Sequence, residues 1–256
     1  MATGEWLERL HSFYLDDEDP LSFAYRAIDT APIYGNEADM GQAVRESGVP
    51  REEIFITTKV WYTDQGYEGT LRAFDQSMKK LKLDYLDLFL IHHCMAPKLK
   101  GTWQAMERLY EEKRVRAIGV SNFLGHHLDE LLSFVRVKPM VNQIEMHPYL
   151  TQRETLSYNQ AHGIQTESCA PLAKGKALGE EIVTALAEKY GKPPARVVLH
   201  WGLHLGVKLI PKSTKRARIE ENCDIFDFSL TAEEMAAIDS LDQNMRFGSH
   251  PDDWAQ

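Results

Sequence analysis

The sequence is short of cysteine, of positive charge and of long apolar runs. Its 256 residues include three cysteines, Cys94, Cys169 and Cys223, too few and too widely spaced for a disulfide framework or a zinc-binding CxxC pair. A reducing compartment is therefore expected. Twenty-nine basic against 38 acidic residues leave a net charge of −9, without the basic surplus that draws a protein to nucleic-acid phosphates. No stretch approaches the ~20 apolar residues of a membrane span, and the start, Met1-Ala2-Thr3-Gly4-Glu5-Trp6, lacks the pattern of a secretory leader. The expectation is a cytoplasmic chain with a small-molecule partner, no nucleic acid and no membrane.

Familiar phosphate and zinc motifs are missing too. No G-x-G-x-x-G, G-x-x-x-x-G-K-[ST] or H-E-x-x-H occurs, and Gly119-Val120-Ser121-Asn122-Phe123 lacks the second glycine of a nucleophile elbow. Histidines come in pairs, His92-His93 and His126-His127, with His200 and His204 one helical turn apart. Neighbouring histidines on a strand point to opposite faces, so no metal site is expected.

What is present is a regular alternation. Apolar residues make up 43% of the chain, enough for one large core. Short β-branched or aromatic runs at 25–30, 54–60, 85–91, 117–120, 140–145, 164–169 and 207–210 read as strands. Segments of helical period lie near 36–46, 67–80, 102–112, 125–135, 152–162, 180–190, 194–205, 215–222 and 231–241. Buried strands alternating with helices predict an α/β fold, and at this length an eightfold (β/α)8 TIM barrel in one domain over 1–256. The eighth strand must come from residues 1–24, where Thr3-Gly4-Glu5-Trp6-Leu7 makes a poor strand.

In such a barrel the active site lies where strands end, so polar residues that terminate apolar runs are the candidates. Asp29 closes the first clear run, Tyr34 follows in the turn, Lys59 closes the next, and His92 follows Ile91. Each has a bland alternative: a turn aspartate, a loop aromatic, a solvated lysine, a satisfied interior histidine. Together they make chemical sense. A buried lysine beside a tyrosine stabilises the phenolate, an aspartate keeps that lysine charged, and a histidine can orient a carbonyl oxygen. A tyrosine so placed is a general acid for a carbonyl receiving a hydride, which no side chain can supply and a reduced nicotinamide can.

From residue 25 to about 253 the chain resembles the aldo-keto reductase family. Tyr25-Arg26-Ala27-Ile28-Asp29-Thr30-Ala31-Pro32-Ile33-Tyr34-Gly35 is similar to its first signature, and Lys59 and His92 match the rest of its catalytic tetrad. The resemblance implies that Ser121, Asn122 and Gln143 hold the nicotinamide carboxamide. It also implies that Lys212, Ser213, Thr214, Arg218, Glu221 and Asn222 clamp the adenosine 2′-phosphate and adenine, with Lys212 and Arg218 favouring NADPH over NADH. Trp61 and His93 would line the substrate pocket. The brief tail and the short 92–103 segment are similar to the microbial branch, with its diketogluconate reductases and prostaglandin F synthases, which implies broad aldehyde and ketone acceptance.

The chain departs from the family pattern at several places. Where the family has an aromatic and then Ser-Pro-Leu-Gly after strand seven, this sequence has Cys169-Ala170-Pro171-Leu172-Ala173. The lost stacking and hydrogen bond should weaken cofactor binding by about 1–3 kcal/mol, although Cys169 and Leu172 still occupy cofactor-facing positions. His93-Cys94 replaces Trp-Pro, and Ala24 replaces a glycine. The N-terminal hairpin is absent and the first strand survives only as Thr3-Gly4-Glu5-Trp6, so the barrel is expected to be open at strand one. Two functions follow from these features: an NADPH-dependent carbonyl reductase acting as a monomer, or a reductase-shaped protein that binds a nucleotide or a partner with little turnover.

Overall fold

A computed structural model describes Ser12, Phe13 and residues 25–213 and 215–254. Eight strands, β1 (Ser12–Phe13), β2 (Ala27–Asp29), β3 (Phe55–Val60), β4 (Leu86–Ile91), β5 (Val115–Ser121), β6 (Val141–Glu145), β7 (Gln165–Cys169) and β8 (Lys208–Ile210), lie side by side in chain order. Every neighbouring pair is parallel. β8 also touches β1, so the sheet curls into a ring, with no hydrogen-bonded ladder at that seam among the described residues.

The first strand differs from the sequence expectation. Thr3-Gly4-Glu5-Trp6-Leu7 lies outside the described residues, and the strand that pairs with β2 is Ser12–Phe13, in register with Ala27 and Ile28. Two residues carry no readable period, which is why no pattern flagged them.

Helices α1 (Glu37–Glu46), α2 (Tyr67–Leu81), α3 (Ala96–Glu111), α4 (Gly125–Leu132), α5 (Arg153–His162), α6 (Glu181–Tyr190) and α7 (Pro194–His204) fill the crossovers from β2 to β8, and α8 (Arg216–Cys223) and α9 (Ala232–Asp239) follow β8. α3 starts six residues before its expected start. Pro97 stands in its first turn, where a missing N–H costs nothing. α5 and α6 end on Gly163 and Gly191 in the left-handed region, and their amides close the last turns.

Apolar side chains pack in two outer clusters between sheet and helices. A third group, Leu88, Leu90 and Val141 with Phe55, Ala117 and Met140, fills part of the barrel interior. Gly119 lets β5 lie close to β6 there: a Cβ at that position would sit 2.5 Å from the Val141 carbonyl oxygen. Polar side chains occupy another part of the interior. Gln143 on β6 bonds to Asp29 on β2, two strands that are not neighbours, so that contact crosses the lumen.

Candidate active site

Asp29 and Lys59 stand at the carboxyl ends of β2 and β3, both essentially without solvent exposure. Asp29 Oδ1 accepts from Lys59 Nζ, which also donates to the Thr30 carbonyl at 3.1 Å. Asp29 Oδ2 accepts from Gln143 Nε2 at 2.8 Å, so each carboxylate oxygen has its own partner. Burial works against the Lys59 charge, but Asp29 first and Tyr34 second outweigh it and raise its pKa above the usual lysine value. Lys59 is therefore a cation locked in place.

Tyr34 lies in the turn after β2, with its ring centre 5.3 Å from Lys59 Nζ. At 38% exposure it faces the mouth of the barrel. His92 meets it edge-on, with ring centres 5.9 Å apart. Burial, followed by the nearby Lys59 and His93, holds the His92 pKa down to about 2, so this imidazole is neutral at any ordinary pH. Its Nδ1 is buried without a hydrogen-bond partner. The four sequence candidates thus converge on one point.

One expectation about the histidines is corrected. His92 and His93 do not splay to opposite faces: their rings stack 4.9 Å apart and 8° from parallel, because β4 ends at Ile91 and the pair occupies the turn beyond it. His126 and His127 lie on α4, in the segment expected to be helical, and both reach Asp252 Oδ1, at 2.9 and 3.2 Å. The trio has ligand atoms close enough for a metal. However, His127 Nδ1 accepts from the Leu124 amide, which leaves the proton on Nε2, the atom that would have to ligate.

The pocket wall is aromatic. His93 is sandwiched between His92 and Trp254, 4.3 Å from the latter. Trp61 packs against His92 at 4.9 Å and against Trp254 at 5.8 Å. Trp254 was not among the sequence candidates. Neither was Glu167 on β7, buried below the tetrad, whose Oε2 accepts from Gln143 Nε2 at 2.7 Å. Burial and the Asp29 charge push its pKa up to about 7.

Ser121 ends β5 in register with Gln143, and Asn122 follows it. Asn122 Nδ2 donates to the His92 carbonyl at 2.9 Å and to Ser121 Oγ at 3.1 Å. The donors of Asn122 and Gln143 are thus engaged, while among the described residues nothing donates to either amide oxygen. A cavity of about 800 Å³ runs from the end of β7 past β8 to α8, and Cys169, Leu172, Lys212, Ser213, Arg218, Glu221 and Asn222 line it. Thr214 lies outside the described residues. Cys169 links the two parts: it lines the cavity and also feels the Asp29, Lys59 and Glu167 charges. Burial pushes its thiol up to about 12, so it is an uncharged, small group.

The cavity's border is held by the fold. Tyr25 Oη donates to the Ile219 carbonyl, tying the approach to β2 to α8, and Arg196 Nε donates to the Glu221 carbonyl. The loop after β7 has Ala170, Ala173 and Lys174 at φ of 52° to 54°, a conformation costly for residues with a Cβ. These features suit NADPH: two free amide oxygens for a carboxamide, a long groove, and Lys212 and Arg218 for a phosphate.

A model of the "Aldo/keto reductase family" matches residues 19–243. The chain is 55% identical to a glyoxal reductase of Bacillus subtilis, over 90% of this chain and 83% of that protein. Among solved structures, MGS-M4, an aldo-keto reductase enzyme from a Medee basin deep-sea metagenome library, superposes with a TM-score of 0.91 at 40% identity, covering 95% and 94% of the two chains. A Bombyx mori aldo-keto reductase in complex with NADP gives 0.85 at 36% identity, over 91% and 83%. No helix among the described residues is long and apolar enough to cross a membrane. The chain belongs to the aldo-keto reductase family and is an NADP(H)-dependent oxidoreductase of carbonyl compounds.

Proposed function

We propose that the chain reduces small aldehydes and α-dicarbonyls of the glyoxal type, with Tyr34 as the general acid. The observation that carries this reading is the buried Lys59 cation, fixed by Asp29 and 5.3 Å from the Tyr34 ring. Its charge favours the phenolate that Tyr34 becomes on giving up its proton. His92 cannot be the acid, because its pKa lies near 2 and its imidazolium is absent at neutral pH. As a neutral ring it can donate one hydrogen bond and orient the carbonyl oxygen. NADPH, when bound, supplies the hydride for the carbonyl carbon.

Ser121, Asn122 and Gln143 would hold the carboxamide, Cys169 and Leu172 would border the nicotinamide side, and Lys212, Ser213, Arg218, Glu221 and Asn222 would hold the adenosine end. Trp61, His93 and Trp254 would face the substrate. The single-barrel organisation, three cysteines that form no disulfide and scattered exposed apolar side chains support a cytoplasmic monomer. The test is carbonyl-dependent NADPH oxidation with glyoxal and methylglyoxal. Tyr34→Phe should lower kcat by about 10²- to 10⁴-fold and leave NADPH affinity unchanged. Full activity in Tyr34→Phe would remove Tyr34 from the role of acid.

A further inference from the structure

Glu167 is a buried carboxylate that the reaction itself does not require. It sits on β7 in register with Gln143 on β6 and Lys208 on β8. Gln143 has two N–H groups on Nε2, and both are used: one on Asp29 Oδ2 at 2.8 Å, the other on Glu167 Oε2 at 2.7 Å. An amide held by two carboxylates cannot flip, because the flip would turn its carbonyl oxygen onto two anions. Oε1 is therefore the atom of Gln143 left for a ligand.

We propose that Glu167 is a positioning residue for the cofactor: with Asp29 it fixes the Gln143 amide so that Oε1 presents an acceptor to the carboxamide N–H group of NADPH. This rests on the reading of the site as an NADPH site. Asp29 alone is a poor anchor, since its other oxygen is committed to Lys59 and a single hydrogen bond leaves the amide free to swing. The second carboxylate supplies the second point that fixes the plane of the amide.

Keeping two carboxylates near one another in the lumen works against the fold. The charged and titratable groups facing Glu167 are Asp29 from β2, Lys59 from β3 and Lys208 from β8, with Cys169 on its own strand. Lys59 and Lys208 favour its ionised form, while burial and Asp29 oppose it. A group kept in this balance titrates close to neutrality, so the grip on Gln143 weakens as Glu167 takes up a proton.

The experiment measures dissociation constants of NADPH and of adenosine 2′,5′-bisphosphate, which has the phosphate and adenine but no carboxamide. The variants are Glu167→Gln, which keeps the shape and removes the charge, and Glu167→Leu, which also removes the acceptor. NADPH should bind about fivefold more weakly to Glu167→Gln, and more weakly still to Glu167→Leu, while the bisphosphate binds all three proteins alike. The ratio of the two constants cancels titration of the shared 2′-phosphate. In the parent, NADPH should lose its advantage as pH falls below neutrality, and in Glu167→Gln that pH dependence should vanish. Equal weakening of both ligands, or of neither, would overturn the positioning role. A parent that binds NADPH no better than the bisphosphate would overturn the cofactor reading, and the proposal with it.

Discussion

The two ends of the site are built differently. At the tetrad every charge has a specific partner: Asp29 divides its oxygens between Lys59 and Gln143, and Lys59 adds the Thr30 carbonyl. At the cofactor end the surface is formed by loops after β7 and β8, with the small Cys169 at the join and alanines in the left-handed region. The chemical end is over-determined by hydrogen bonds, whereas the cofactor end is shaped mainly by backbone. Changes at the first should therefore be severe and coupled, and changes at the second graded and local.

The largest effect is expected at Lys59. Lys59→Met leaves Asp29 buried without its counter-ion, which should lower stability by about 3–5 kcal/mol. Adding Asp29→Asn removes the stranded charge and should restore most of that stability in urea unfolding. Activity should stay about 10²- to 10⁴-fold down in both variants, because neither holds a cation near Tyr34. A Lys59→Met protein with the parent's urea midpoint would show that the pair is not the fixed point described here.

Glu167 belongs to the same end but acts on stability in the opposite sense. Its folded pKa is raised from an ordinary 4.5 to about 7, so between those values the folded protein holds more protons than the unfolded chain. Stability from this group is present at low pH and is lost as pH rises through 7. Between pH 5 and 7 the parent should lose on the order of 2–3 kcal/mol that Glu167→Gln retains. Matching pH–stability curves in that window would mean that Glu167 is not buried as a titrating group. A residue whose removal stabilises the apo fold yet weakens NADPH binding is what a functional, rather than structural, carboxylate should look like.

The same contrast explains what could be read in advance. Strands buried on both faces show as apolar runs, such as Leu88-Phe89-Leu90-Ile91 in β4, and the polar residues that end them are visible as breaks. That made Asp29, Lys59 and His92 legible. β7 hides its key residue, because Gln165-Thr166-Glu167-Ser168-Cys169 reads as polar throughout and only the register with Gln143 shows Glu167 facing the lumen. Trp254 escapes for another reason: its partners Trp61, Tyr62 and His93 are about 160 or more positions away in sequence, and no local period encodes that contact. β1 escapes because two residues carry no pattern, and with it the sheet reaches eight strands.

The smallest effect is expected at the join. Cys169 borders a cavity of about 800 Å³ and its thiol is uncharged, so a larger flat side chain has room to enter without displacing an ion pair. Cys169→Tyr would place an aromatic face at the nicotinamide end of the groove. Aromatic stacking contributes about 0.5–1.5 kcal/mol, so NADPH should bind roughly two- to tenfold tighter. Affinity for adenosine 2′,5′-bisphosphate should not change, because Lys212 and Arg218 lie at the other end of the cavity. Fluorescence titration of both ligands decides the matter: an unchanged NADPH constant would show that β7 does not set the nicotinamide contact. Equal gains for both ligands would place the effect in the loop after β7 rather than in stacking. A gain confined to NADPH would show that the cofactor end can be tuned by one side chain while the tetrad, fixed by its charges, stays as it is.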